Sequence, residues 1–395
     1  MITVADFYRY GNEHVPVNAS LLFMICKHYS DSPVAFFAEE THLNNVKEFW
    51  QLNNIEAGNI EWKPSKIKLK AKGTRLVFER IKNELHYIRR LGKAKTESVN
   101  KIFFLSLSPL PTIVYKSFFS KNRQTLITLH GDVEFARMQN SFSRNIIGRL
   151  FRISFNIKKQ NCVYLALNKV IKQNLIQEEF LKKDEVIAVY HPYIFHDQLT
   201  VKPYTTQFKF AHIGVASLEK RSYYLYDIAT SFENEIRQQK MQLEIIGKNE
   251  NIEIKENSEL IPGIHNKEML RRDEFDMRLM QVDYTLFFYS EAYQLTGSGA
   301  LMDALDFEKP VIALRNQLFE TFFNDAGKIG FVCDSVNEVK MIIKQVLSGE
   351  IAEDDYRQMQ KNIRSFKQEF SLANIEEQLF GQLTATKAWH KIYDL

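Results

Sequence analysis

The sequence is poor in every feature that marks a metal site, a disulfide framework or a membrane span. Only three cysteines occur in 395 residues, Cys26, Cys162 and Cys333. They stand far apart among apolar neighbours, without disulfide or zinc spacing, so buried thiols in a reducing compartment are expected. No apolar run approaches the ~18 to 20 residues that cross a bilayer. The opening residues lack the basic start, apolar centre and small-residue cleavage site of a secretory signal, so a cytoplasmic location is expected. There is no Gly-x-Gly-x-x-Gly after the first expected strand, no phosphate-loop Lys-Ser/Thr and no Gly-x-Ser-x-Gly elbow. No Asp-x-Asp stands out at a strand end and no His/Cys cluster has ligand spacing, so neither a metal nor a bound cofactor is expected. Internal repeats and low-complexity tracts are missing as well.

What is present is an ordinary globular composition, 45% apolar and 25% charged. The chain is too long for one core and fits two domains of ~200 residues each. The net charge of +4 is small, but its placement is uneven. Lys63, Lys66, Lys68, Lys70, Lys72 and Arg75 are followed by Arg80, Lys82, Arg89, Arg90, Lys93 and Lys95. Arg144, Arg149, Arg152, Lys158 and Lys159 form a further group. These are either solvated helix faces or a surface for an anionic membrane or a phosphate-bearing acceptor. Nucleic acid is not an expected partner.

Short apolar runs alternate with helical periods, which gives parallel sheets covered by helices. Strands are expected at 2–7, 34–37, 60–62, 101–106, 125–129, 162–167 and 186–189. The segment 75–91 is an amphipathic helix with Val77, Ile81, Leu85 and Ile88 at helical spacing. In 141–157, Ile146, Ile147, Leu150, Ile153 and Ile157 lie near one face between arginines. That helix either packs on the sheet or lies on a membrane surface. The polar stretch 195–207, with Pro203, suits an interdomain linker. A second α/β series opens at 208–214, its strand running into the loop 215–220, with one long helix expected from there to about 238 and another helix over 267–281.

Two places carry candidate chemistry. The strand 125–129 ends in His130-Gly131-Asp132, and ligands of open α/β sheets gather beyond the carboxyl ends of strands. A neutral imidazole near its ordinary pKa there accepts a hydroxyl proton. Otherwise His130 is structural and caps the next helix, and Asp132 is either its partner or an N-cap. The second place is 282–314, where an aromatic strand leads through Thr296-Gly297-Ser298-Gly299 into a helix, and Pro310 precedes the next strand. A small-residue turn at a helix N-terminus is an anion site, phosphate being the usual biological anion.

This second stretch resembles the donor-site segment of GT-B glycosyltransferases of the family 4, or group 1, type, which use nucleotide sugars. Many of them carry a Glu and, after seven residues, a second Glu in a helix leading to Lys-Pro-Val-Ile-Ala. Here Asp303 takes the second place, Lys309-Pro310-Val311-Ile312-Ala313 follows, and the first place falls at Leu295. The resemblance implies that Asp303 bonds the nucleotide ribose. The family's phosphate-holding Arg and Lys correspond to Val215 and Lys220, with Arg221 as a substitute cation. The implied donor site is Gly214, Lys220, Arg221, Gly247, Thr296, Gly297, Ser298, Gly299 and Asp303. On the acceptor side the resemblance implies His130 as the catalytic residue and Gly11, His14 and Asp132 as contacts. His191-Pro192-Tyr193 resembles the exit from the family's first domain.

The fold so implied is α/β, with two Rossmann-like domains, 1–200 and 205–375, facing across a cleft. A C-terminal helix, 376–395, returns to the first domain through Trp389, Ile392 and Tyr393. The implied function is metal-independent transfer of a sugar from a nucleotide-sugar donor, itself a substrate, to a saccharide or lipid-linked saccharide acceptor. Its setting would be surface polysaccharide synthesis, in the cytoplasm or on the inner face of the plasma membrane. Two alternatives stay open: a nucleotide-sugar epimerase of the same fold, and a GT-B-like partner protein that has lost turnover along with the first Glu and the phosphate Arg.

Overall fold

The computed structural model describes residues 1–65, 74–93, 100–137, 142–196, 207–290 and 293–390. Lys66, Lys68, Lys70, Lys72, Lys95, most of the expected linker with Pro203, Ile392, Tyr393 and the side chain of Arg144 lie outside that description. The chain divides into two compact units, one of Met1–Ile194, Leu295–Gly297 and Phe370–Leu395, the other of Phe195–Gln294 and Ser298–Glu369.

In the first unit the order is β1 (Ile2–Asp6), α1 (Val15–His28), β2 (Val34–Glu39), α2 (Glu40–Leu52), β3 (Ile60–Ser65), α3 (Thr74–Lys93) and β4 (Lys101–Ser106). It continues with α4 (Pro109–Phe118), β5 (Gln124–Thr128), a 3-10 turn at Gly131–Ala136, α5 (Phe142–Asn156), β6 (Cys162–Ala166), α6 (Lys169–Gln177) and β7 (Val186–Ala188). The strands pair in parallel in the order β3-β2-β1-β4-β5-β6-β7. Every residue of β1, β5 and β6 is buried, as a sheet covered on both faces requires. β3 is an edge strand with alternating exposure, and an edge tolerates the missing N–H of Pro64. Asn168 caps α6, its Oδ1 accepting from Ile171 N at 2.7 Å.

The second unit runs β8 (Phe208–Ala216), α7 (Tyr224–Ser231), α8 (Glu233–Arg237), β9 (Met241–Asn249), α9 (Arg272–Met280), β10 (Tyr284–Phe287), α10 (Gly299–Asp306) and β11 (Val311–Leu314). α11 (Gln317–Ala326), β12 (Gly330–Cys333), α12 (Val336–Ser348) and α13 (Glu353–Lys367) complete it. Its parallel sheet has the order β12-β11-β10-β8-β9. Phe210, Leu243, Ile245, Tyr284 and Leu286 belong to its core. The last helices, α14 (Leu372–Ala385) and α15 (Lys387–His390), belong to the first unit. There α14 packs on α1 and β7. Gln382 reads the β7 backbone in both directions, its Nε2 donating to Ala188 O at 2.7 Å and its Oε1 accepting from Ala188 N at 3.2 Å.

Several expected elements differ. The one long helix expected after Lys220 is two short ones that start only at Tyr224, because the hydrogen-bonded turn at 217–223 runs past Lys220. α9 begins at Arg272 and not at 267, and α11 is a helix that periodicity left unassigned. On α3, Val77 is exposed while Glu84, Ile88 and Leu91 face inward. On α5, Phe151, Ser154 and Phe155 form the buried face, and Ile146 and Ile153 are exposed.

Candidate functional site

Each sheet reverses its strand order once, between β1 and β4 in the first and between β8 and β10 in the second. Connections leave the two neighbouring strands in opposite directions there, opening a crevice beyond their carboxyl ends.

At the second sheet's reversal, β8 carries Gly214 in the left-handed region, with φ of 84°. A Cβ on Gly214 would lie 3.5 Å from Ala300 Cβ and 4.0 Å from Lys220 Nζ. Lys220 Nζ sits 5.3 Å from the centroid of the Tyr289 ring. The Tyr289 hydroxyl meets Ser298 Oγ at 2.9 Å, and Ser298 caps α10 by accepting from Leu301 N at 3.1 Å. Gly299, the first residue of α10, has no atom within 4 Å of where a Cβ would stand. A cation, a bare strand end and a helix N-terminus thus converge, which is the composition of an anion site.

The turn carrying Lys220 is built by side chains. Ser222 N donates to Ser217 O at 3.1 Å, and Ser217 N donates to Ser222 Oγ at 3.1 Å. The Ser222 hydroxyl meets His212 Nε2 at 3.1 Å, and His212 Nδ1 meets Leu286 O at 3.2 Å. A carbonyl only accepts, so Nδ1 carries the hydrogen and Nε2 receives the Ser222 proton; Val215 O lies farther off, at 3.5 Å. Burial first and the Lys220 charge second push His212 down to about 4, which keeps it in this neutral form. Arg221 adopts φ of 53° within the turn.

Two other implied donor residues are occupied with protein. Gly247 pairs with Gly214 across β8 and β9, and a Cβ on it would stand 1.9 Å from Gly214 O. Close strand approach accounts for that glycine. Asp303 Oδ1 accepts from Arg272 Nη1 at 2.8 Å, and Arg272 also pairs with Asp276. Thr296 and Gly297 fall in the first unit, where Thr296 Cγ2 would be 3.0 Å from a Cβ on Gly131 and His191 Cδ2 lies 3.6 Å from one on Gly297. Leu295, the place of a family Glu, is fully buried in the core of that unit.

The first sheet's reversal is crowded with polar groups. Asp6, fully buried at the end of β1, accepts from Tyr8 N at 3.1 Å, Arg9 N at 2.9 Å, Ser106 Oγ at 2.5 Å and Asn18 Nδ2 at 2.7 Å. Asn18 Nδ2 also meets His42 Nε2 at 2.9 Å, and His42 Nδ1 donates to Gly11 O at 2.9 Å. Gly11, at φ of 55°, is therefore held from α2. Glu84, on the inward face of α3, accepts from Ser108 N at 2.9 Å and from the Ser108 hydroxyl. Burial raises Glu84 from 4.5 to about 8.

His14 and His130 meet edge to face, with centroids 4.5 Å apart. His130 Nε2 donates to Leu105 O at 2.6 Å, leaving the lone pair on Nδ1. Contrary to expectation its pKa is not near ordinary: burial first, then the Arg9 charge, lower it well below 6.5. His14 is lowered likewise, by burial and then by His130 and Arg9. Neither reading of a cap applies, since the turn that starts at Gly131 has no side-chain cap from His130, and Asp132 lies within it. Sequence reasoning missed Asp6, Asn18, His42, Glu84, Ser106 and Ser108. Its one usable signal was a Glu three residues after Ile81 and four before Ile88, on the apolar stripe of α3.

Among the described residues, no group of three or more His, Cys, Asp or Glu is placed to hold a metal ion, and no helix is long and apolar enough to cross a membrane. A scan against protein-family models found no match, and neither did a search of curated proteins. Solved structures do match. A TarM variant from S. aureus, in complex with fondaparinux, alpha-GlcNAc-glycerol and UDP, is similar at 10% identity over 96% of this chain and 99% of that one, with a TM-score of 0.63. Sucrose-phosphate synthase from Thermosynechococcus elongatus is similar at 12% identity over 97% and 99%, with a TM-score of 0.63. A UDP-N-acetylglucosamine 2-epimerase gives 15% identity over 97% and 96%, with a TM-score of 0.52. At such identities the likeness is one of fold, and the fold is the GT-B architecture.

Proposed function

We propose that the protein is a glycosyltransferase that moves a sugar from a nucleotide-sugar donor to a saccharide or lipid-linked saccharide acceptor, at a membrane surface and in surface polysaccharide synthesis. The observation that carries this reading is the convergence of Lys220, Gly214 and the α10 N-terminus at the second sheet's reversal. As the glycosidic C–O bond breaks, its electron pair passes to the leaving diphosphate. Lys220 and the N–H groups at the start of α10 stabilise that growing charge without a metal. On the acceptor side, the attacking hydroxyl donates a hydrogen bond to the lone pair of His130 Nδ1, its oxygen forms the new bond to the sugar's anomeric carbon, and its proton passes by way of Nδ1 to water. The lowered basicity of His130 makes orientation the larger part of that role.

The test is a thermal-shift series with nucleoside diphosphates and nucleotide sugars, followed by donor hydrolysis. A ligand of the native state at a hundred times its Kd adds about 2.7 kcal/mol of stability. One nucleotide should raise Tm, and Lys220→Ala should abolish the rise. No response to any nucleotide would overturn the transferase reading. A second reading, a partner protein without turnover, is favoured by the core position of Leu295 and the Arg272 pairing of Asp303. It predicts nucleotide binding with no donor hydrolysis and no transfer. An epimerase of this fold would instead convert the donor without any acceptor.

A further inference from the structure

Helices α3, α4 and α5 lie side by side in the first unit, α4 packing against both neighbours. The exposed stripe of α3 is Arg75, Phe78, Lys82, His86, Arg89 and Lys93, spaced at threes and fours as one helical face. It holds four fixed cations and no acid. The two glutamates of α3 are elsewhere, Glu79 half-buried and Glu84 fully buried. Phe78 is 73% exposed in the middle of those cations.

On α5 the exposed stripe is Ile146, Arg149, Ile153 and Asn156, and neither α4 nor α5 contains an acidic residue. Ile146 is 46% and Ile153 48% exposed, and Phe118, at the end of α4, is 75% exposed. A stripe that only needed solvation would mix both signs of charge and would not leave aromatic and branched apolar side chains in water. Cations around protruding apolar groups match an anionic lipid surface, where the charges meet headgroups and the side chains enter the acyl boundary.

We infer that the α3–α4–α5 face docks the protein on anionic lipid. The inference does not rest on the donor site, because it requires no nucleotide. A protein partner would be expected to supply a groove-shaped complement, and a nucleic acid would leave Phe118, Ile146 and Ile153 unused.

The experiment is flotation of the full chain with vesicles of phosphatidylcholine alone and of an equimolar mixture with phosphatidylglycerol. Binding is expected to the mixed vesicles only and to weaken as salt rises. Each cation removed should lower the partition about fivefold, so Arg75→Gln, Lys82→Gln and Arg89→Gln together should lower it about a hundredfold. The triple variant Phe78→Ser, Ile146→Ser, Ile153→Ser, altered only at exposed positions, should also lose most binding with Tm unchanged. Lys340→Gln with Lys344→Gln, on α12 of the other unit, should bind as the parent does. Equal binding to neutral vesicles, unchanged binding by the two stripe variants, or binding to single-stranded RNA in place of vesicles would overturn the inference. Nucleotide-induced stabilisation, read separately, keeps this result distinct from the outcome for the transferase reading.

Discussion

The two strand-order reversals solve the same topological problem with opposite materials. In the first unit the crevice is walled by side chains that hydrogen-bond across long sequence distances, Asp6 to Ser106 and Asn18 to His42, with Glu84 on Ser108. In the second the strand end is glycine backbone, and side-chain bonds hold a turn whose one lysine lies near an aromatic ring. The side chains of the first crevice bond chiefly one another, with Asn18 Oδ1 buried without a partner, whereas the second places a cation beside a helix N-terminus. Under the proposed function this difference matches an anion held by the second unit and a neutral hydroxyl oriented by the first.

The comparison breaks most visibly at the two backbones. Gly247→Ala places a Cβ 1.9 Å from Gly214 O in a backbone at φ of 150°, and is expected to cost about 3 kcal/mol or more in denaturant unfolding. Gly299→Ala at the same crevice meets nothing within 4 Å and should stay within about 0.5 kcal/mol. If the two changes cost the same, the second crevice is not organised by close strand approach. In the first unit, Asp6→Ala orphans two side-chain and two backbone donors and should cost about 3 kcal/mol, with Asp6→Asn milder because one acceptor oxygen remains.

A pH series sharpens the contrast further. Glu84 has its folded pKa raised from 4.5 to about 8, so the native state holds a proton that the unfolded state has released between those values. Its stabilising contribution is full below pH 4.5 and is lost as pH rises through 8, with a slope of at most about 1.4 kcal/mol per pH unit. Glu84→Gln should flatten that part of the Tm–pH curve; an unchanged slope would remove Glu84 as its source. A smaller effect than at Gly247 or Asp6 is expected at Ser222→Ala, which removes the link between His212 and the Lys220 turn. It should cost about 1 kcal/mol and weaken nucleotide stabilisation without abolishing it, unlike Lys220→Ala.

Much of the fold was legible because its strands are buried on both faces and so appear as short apolar runs at 34–37, 101–106, 125–129 and 162–167. The α10 turn was legible for a related reason: Ser298 caps a helix whose first residue is a glycine, and both signals are local. Lys220 was singled out through its family spacing, but the device that holds its turn was not, because His212 and Ser222 look like ordinary strand and turn residues until β8 and β10 are paired. The late start of the helix expected after Lys220 has the same origin, since side-chain bonds within the turn displaced helical propensity at 221–223. His130 was singled out by position, and its expected ordinary pKa does not hold, as the depression comes from burial and from Arg9, more than a hundred residues earlier.

The sequence by itself therefore determined the α/β alternation, the two series of strands, the place of the small-residue turn and the clustering of cations in the first half. Each is set by residues near one another, through propensity, capping and periodicity. Only the tertiary structure decided which acids are buried, which histidines are neutral, that Leu295 is a core residue, and that α4 packs between α3 and α5. Burial and hydrogen bonding are properties of neighbours in space, and parallel sheets bring those neighbours from strands tens of residues apart.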